Sequence, residues 1–339
     1  MQESQSKKMN EAKTNRGLHF FKIVLRPPYR LWLILLRYLH KSYNRVLLAY
    51  NGVLLAYNRA LQLILIPKTP IASCVLHGRP EVHSLVCHRH MYNYILAIKS
   101  FLRFYNDVTV IVHDDGSLTK KDKRTIKKHV ENINIIDRDY ADEKIDKIFY
   151  HYPNCRRYRD AFVNALQLFD YMLLCESEKI VSLDSDILFF KKPDTLIDWV
   201  RDGKEIIYFW ENKPWGIEEF FAKINIDDCC VHMNIGLLCF YKEAMNLDLI
   251  EQFLSKIEIF WCTGQCIFPV LLKKQIEEYG LSFFEPSEYQ YHEYFSDAQT
   301  ARHYLFSAFH IEPRLSDIYL SDWKKIVKEL SNAPKADTI

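Results

Sequence analysis

Glycine is scarce, with nine in 339 residues, so glycine-rich loops that cradle phosphates with backbone N–H groups are not expected to carry the chemistry. No Cys-x-x-Cys pair occurs among the nine cysteines, which removes the usual framework of a structural zinc site. The cysteines are odd in number and scattered. Most sit among apolar neighbours, as in Leu173-Leu174-Cys175 and Leu238-Cys239-Phe240, the pattern of small buried hydrophobes in a reducing cytoplasm. A secretory signal is not expected, because the apolar run lies far from the first residue and no small-residue cleavage site follows it. Acidic side chains are nearly missing from the leader that precedes Ile71. Twelve Lys or Arg stand there against Glu3 and Glu11, a balance of +10. The rest of the chain, with 33 basic and 41 acidic residues, carries −8. An acidic body does not suit nucleic acid, whereas a basic, apolar-rich leader suits anionic lipid.

Apolar residues make up 49% of the chain and charged residues 26%, the composition of a folded protein. The length suits one catalytic domain of about 250 residues plus an appendage. Residues 1–16 read as a disordered tail, 17–70 as a basic amphipathic helical segment, 71–331 as the catalytic domain and 332–339 as a second tail. Within the leader, Val46-Leu-Leu-Ala-Tyr-Asn-Gly52 is followed by Val53-Leu-Leu-Ala-Tyr-Asn-Arg59. On a helix, Asn44, Asn51, Asn58 and Gln62 then form a narrow polar stripe and leave the remaining surface apolar. Such a helix needs a partner. Asn51, Asn58, Arg59 and Gln62 make it a poor membrane span. The other partners are an anionic membrane surface met by residues 17–66, self-association as a homo-oligomer, or docking on the catalytic domain. A cytoplasmic protein held peripherally at the inner face of the membrane fits this leader.

After Pro67-Lys-Thr-Pro70 the pattern alternates. Strands are expected at Val82–Cys87, Val108–Val112, Asn132–Ile136, Lys179–Leu183, Glu205–Phe209 and Gly236–Phe240. Helices are expected at Tyr92–Phe104, Ser117–Val130, Asp194–Val200, Leu247–Lys256 and Gln265–Lys274, with Ser117 or Thr119 capping the second. Phe162, Leu166, Phe169 and Leu173 predict one further helix, core-facing, over Arg159–Cys175. This α/β alternation predicts a single Rossmann-like domain with a mostly parallel sheet flanked by helices, and ligands beyond the carboxyl ends of its strands.

At one such strand end stand Asp184 and Asp186, separated by Ser185. Two carboxylates beside a buried strand need compensation, which a hard divalent cation bridged to diphosphate oxygens supplies. The segment Leu183-Asp-Ser-Asp-Ile-Leu188 resembles the Leu-Asp-x-Asp-Ile-Leu stretch of nucleotide-sugar glycosyltransferases of the A-type fold, most like the family 8 retaining enzymes. Further matching pieces are Ala97-Ile-Lys-Ser100 with Leu102, Asp114-Asp115-Gly116, Asn234-Ile-Gly236 and His303-Tyr304, over about Val82 to His310. The resemblance implies Mn²⁺ or Mg²⁺ on Asp184, Asp186 and His303, with His310 as the rival third ligand. It implies a UDP-sugar donor and a glycan or lipid-linked acceptor. It also implies that His88, Arg157, Arg159 and Ser185 contact the nucleotide-diphosphate and that Asn234 and Gln265 act at the sugar. Two local departures stand out. The first strand ends in Cys87-His88-Arg89-His90, where the family has a small residue and Asp, and Gln265 follows Gly264 rather than Asp, which leaves one carboxylate fewer near the sugar. A nucleotidyltransferase on a related fold, a phosphatase with its own Asp-x-Asp and a non-catalytic membrane scaffold are the competing readings.

Overall fold

The structure is a computed structural model of the chain, and it describes residues 46, 49–50, 52–211, 232–291, 299–304 and 313–332, with side chains of the last helix from residue 318. The chain divides into two compact units between Tyr57 and Asn58. Of the first unit the described residues are its last helical turns, on which Val46, Tyr50, Val53 and Tyr57 are all exposed. The expectations for residues 1–45, 47–48, Asn51, His310 and 333–339 lie outside the described residues, while Asn332, expected as the start of the 332–339 tail, closes the last helix, Pro313–Asn332.

The second unit holds strands β1 (Ala72–Ser73), β2 (Glu81–Val86), β3 (Thr109–Asp114), β4 (Val130–Glu131), β5 (Asn134–Ile136) and β6 (Lys179–Leu183). They are followed by β7 (Ile187–Phe189), β8 (Ile206–Trp210), β9 (Met233–Tyr241), β10 (Leu281–Phe284), β11 (Tyr289–Tyr291) and β12 (Ala301–His303). Seven strands form the central sheet in the order β10-β8-β9-β6-β2-β3-β5. All pairings in it are parallel except those of β9, which runs against both β6 and β8. The carboxyl ends of β2, β3, β6 and β8 therefore share one edge with the amino end of β9. That edge is where a parallel sheet binds its ligands.

Burial on both faces explains the near-continuous Val, Ile and Leu of the inner strands. All six residues of β3 are buried. One face is covered by a core that joins Phe169, Leu168 and Met172 to Phe240, Leu254, Phe268 and Leu272. The helix Ala165–Leu173 lies inside this core and is buried on nearly all sides, from Ala165 to Met172. The sequence expectation of one helix over Arg159–Cys175 needs correction, because the chain breaks after Pro153–Ala161, with Phe162 extended at φ −134° and ψ 120°. The reason is an ion pair. Arg159 Nε donates to Asp170 Oδ1 at 2.8 Å, and eleven residues of unbroken helix would hold those residues about 16 Å apart along the axis.

Helix Lys120–His129 starts in a capping box, with Thr119 accepting from Asp122 N and Asp122 reaching back to Thr119 N. Thr119 is thus the cap, not Ser117. Its last residue, His129, sits with Lys99 in a buried corner, where Lys99 Nζ donates to Thr69 Oγ1 at 2.6 Å and lies 3.5 Å from His129 Nδ1. Burial, and then the Lys99 and Lys128 charges, push His129 down to about 4. The unfolded chain takes up a proton near pH 6.5, while the folded chain resists until about 4. Stability from this group is complete above pH 6.5 and drains away as pH falls toward 4, by roughly 3 kcal/mol in all. We expect Tm of His129→Gln to fall less steeply than that of the wild type across this window. Identical slopes in melts at stepped pH would remove His129 from the acid transition.

Candidate active site

The site is assembled by two strand pairings. Asp184 N donates to Gly236 O at 2.7 Å, which ties the end of β6 to β9. Beyond the turn, β7 pairs antiparallel with β12, setting His303 opposite Ile187, and Tyr304 N donates to Asp186 O at 3.1 Å. One ligand atom each from Asp184, Asp186 and His303 then falls within 4.8 Å of the others. His303 Nε2 is 3.0 Å from Asp186 Oδ1 and 3.6 Å from Asp184 Oδ2. Neither ring nitrogen makes a hydrogen bond of normal geometry within the described residues, although the ring is fully buried.

Electrostatics give this arrangement its meaning. Burial in the cavity wall, and then the Asp186 charge, push the Asp184 carboxyl upward against the pull of His303 and Gln167. Burial disfavours a charged His303 ring, but Asp186 and Asp184 outweigh it and hold the ring above its usual value. Two like charges and an imidazole without aligned hydrogen bonds are poorly satisfied by one another. Two carboxylate oxygens and one imidazole nitrogen suit Mn²⁺ or Mg²⁺, so the residues present fit a divalent cation.

Gln167 is a member that the sequence reading missed. Its Nε2 donates to Asp184 Oδ1 at 2.7 Å, which fixes that carboxylate from behind. Glu211, at the end of β8, was missed as well. This side chain is 1% exposed and its Oε2 accepts from Asn234 Nδ2 and Gln265 Nε2, both at 3.1 Å. Its Oε1 is buried without a hydrogen bond to any described residue. Glu211 thus places a buried carboxylate beside Asn234 and Gln265.

A cavity of about 390 Å³ opens over this cluster. Of the residues expected from sequence, it is lined by Asp184, Ser185, Asp186, Asn234, Gln265 and His303. His88, Arg157 and Arg159 do not line it. His88 instead makes its contacts outside, with Nδ1 2.8 Å from Asp122 Oδ2 and Nε2 3.4 Å from Arg59. His90, two residues on, takes its place in the wall. Arg157 is exposed, and Arg159 spends its guanidinium on Asp170 and Asp142. Tyr289 and Tyr291 are buried in β11 and do not line the cavity. Trp261 at the cavity rim is the exposed aromatic instead, at 57%.

Gly236 sits where the cluster leaves no room. A Cβ there would meet His303 Cε1 at 2.6 Å, Asp184 Oδ2 at 2.8 Å and Asn234 Oδ1 at 2.9 Å. Gly236→Ala is therefore expected to push two of the three ligands apart and to weaken Mn²⁺ binding tenfold or more, by roughly 1.4 kcal/mol at least. Titration calorimetry with Mn²⁺ checks this, and unchanged affinity would mean that the ligands are held less tightly than the packing implies.

No protein-family profile matches the sequence, and no curated protein matches it. Solved structures do match. Galactosyltransferase LgtC, solved with donor and acceptor sugar analogs, superposes with a TM-score of 0.50 at 13% identity, over 75% of this chain and 98% of that one. Mouse xyloside xylosyltransferase 1 in its apo form gives 0.47 at 12% identity, over 67% of this chain and 98% of that one. The chain has the A-type glycosyltransferase fold. Its acidic pair, buried imidazole and cavity occupy the ligand-binding edge of that fold.

Proposed function

We propose that the protein is a metal-dependent glycosyltransferase that moves a sugar from a nucleotide-diphosphate donor, a UDP-sugar foremost, to a hydroxyl of a glycan or lipid-linked acceptor. The observation that carries this is the convergence of Asp184, Asp186 and His303 within 4.8 Å in a cavity at the ligand-binding edge of the sheet. The preference for uridine follows from the motif resemblance alone. Mn²⁺ or Mg²⁺ held by those three residues would neutralise the charge that builds on the departing diphosphate.

The chain's own residues do the rest. Gln167 keeps Asp184 turned toward the cavity. Glu211 holds one N–H of each amide, Asn234 and Gln265, so that both point in fixed directions at the sugar. Trp261 offers an indole face at the rim on which an acceptor ring can stack. Cys87, His90 and Asp115, at the ends of β2 and β3, form the wall for the nucleoside. The seven cysteines among the described residues are all unpaired, which suits a reducing cytoplasm.

The test is incubation of the full chain with a panel of nucleotide-sugars with and without Mn²⁺. Release of free nucleoside diphosphate, and a rise in Tm that needs both donor and metal, are the expected results. Pyrophosphate exchange would make the protein a nucleotidyltransferase. Absence of metal-dependent nucleotide binding by calorimetry would make it a non-catalytic relative.

A further inference from the structure

Helices on protein surfaces turn their apolar stripe inward. From Asn58 onward, the helix over residues 52–65 turns two amides inward. Asn58, 4% exposed, accepts from Trp323 Nε1 at 2.9 Å. Gln62, 5% exposed, donates to Asn93 Oδ1 at 2.7 Å and to Tyr319 OH at 3.3 Å, and Tyr319 OH donates to Asn93 in turn. Asn58 and Gln62 thus lie on the face bolted to the rest of their unit. Leu63 and Ile64 face outward at 51% and 55% exposure, and Ile71 and Leu76 follow at 58% and 51%.

Single exposed hydrophobics need no explanation. Here, however, polar residues occupy the inner positions of two successive turns while an apolar pair occupies the outer ones, an order that solvent does not favour. Something other than water is its counterpart. Charge selects among the counterparts. The leader that precedes Ile71 carries a balance of +10, so a second copy of the chain would set two strongly positive segments against each other. An anionic bilayer has the opposite sign and attracts such a segment within a Debye length. Lys68, exposed, follows Leu63 and Ile64 along the chain, and its long stem allows the charged end to reach lipid phosphates while the neighbouring side chains sink. No helix among the described residues is long and apolar enough to cross a membrane.

We propose that the outward face carrying Leu63 and Ile64 lies in the interfacial layer of an anionic lipid bilayer, with Asn58 and Gln62 fastening the catalytic unit to it. This does not depend on the transferase reading and can fail separately from it. The full chain is to be co-sedimented with vesicles of phosphatidylcholine alone and of phosphatidylcholine mixed with phosphatidylglycerol, at low and high salt. The wild type is expected to bind the mixed vesicles and to release at high salt. Leu63→Ser with Ile64→Ser should weaken that binding about tenfold or more while leaving Tm unchanged, because both side chains are exposed. Gln62→Leu should lower Tm and keep vesicle binding. Binding of the double variant equal to that of the wild type would overturn the proposal by assigning attachment to basic residues alone. A wild type that ignores vesicles and sediments as a dimer, returned to monomer by the double variant, would overturn it in favour of a second copy.

Discussion

Asp186→Asn is expected to lower metal-dependent donor turnover about a thousandfold or more while the protein stays folded. Asp186 is 9% exposed and faces His303 Nε2 at 3.0 Å. Asn keeps its shape but removes the charge that, with Asp184, attracts a cation. Without metal the wild-type site holds two carboxylates that raise each other's energy, so the variant should melt no lower than the wild type in a chelator. Its rise in Tm on adding Mn²⁺ should vanish. Nucleoside diphosphate release and paired melts with and without Mn²⁺ read both effects. Full Mn²⁺-dependent turnover in Asp186→Asn would remove the metal cluster from the reaction, and the proposed function with it.

Arg159→Met separates two roles that the sequence could not. A residue gripping diphosphate would, when replaced, weaken the donor and leave stability alone. The structure puts Arg159 between Asp170 and Asp142, with the side chains of Arg159 and Asp170 both 2% exposed. Burial pushes the Asp170 carboxyl up and the Arg159 charge pulls it back. Removing the guanidinium leaves a buried carboxylate alone, a loss of roughly 3–5 kcal/mol. A Tm drop of about 10 °C is then expected for a unit of this size. Adding Asp170→Leu should recover much of that loss, since a buried pair replaced by apolar groups is often neutral. An unchanged Tm with a raised donor KM would restore the diphosphate role.

The central sheet was legible because its physics is local. Runs such as Val108-Thr-Val-Ile-Val112 and Lys179-Ile-Val-Ser-Leu183 are β-branched and apolar, and both form strands of that sheet. The acidic pair was legible for the same reason, since two carboxylates next to a buried strand stand out without any knowledge of the fold. The break at Phe162 was not. No glycine marks it, and its cause is a side chain pairing across eleven positions of the chain. Gln167 and Glu211 were not legible either, because an isolated Gln or Glu gives no sign of which carboxylate or amide it will meet.

The sequence by itself determined where strands and helices alternate, where the two acids fall and how unevenly charge is divided between leader and body. These follow from neighbours within a turn or two of the chain. Tertiary structure decided that β12 pairs with β7 and so delivers His303 to Asp186, that His90 rather than His88 enters the cavity wall, and that the amides of Asn58 and Gln62 turn inward. Each of these is a contact between segments far apart in sequence. Its energy depends on what the partner segment offers, which no local pattern encodes.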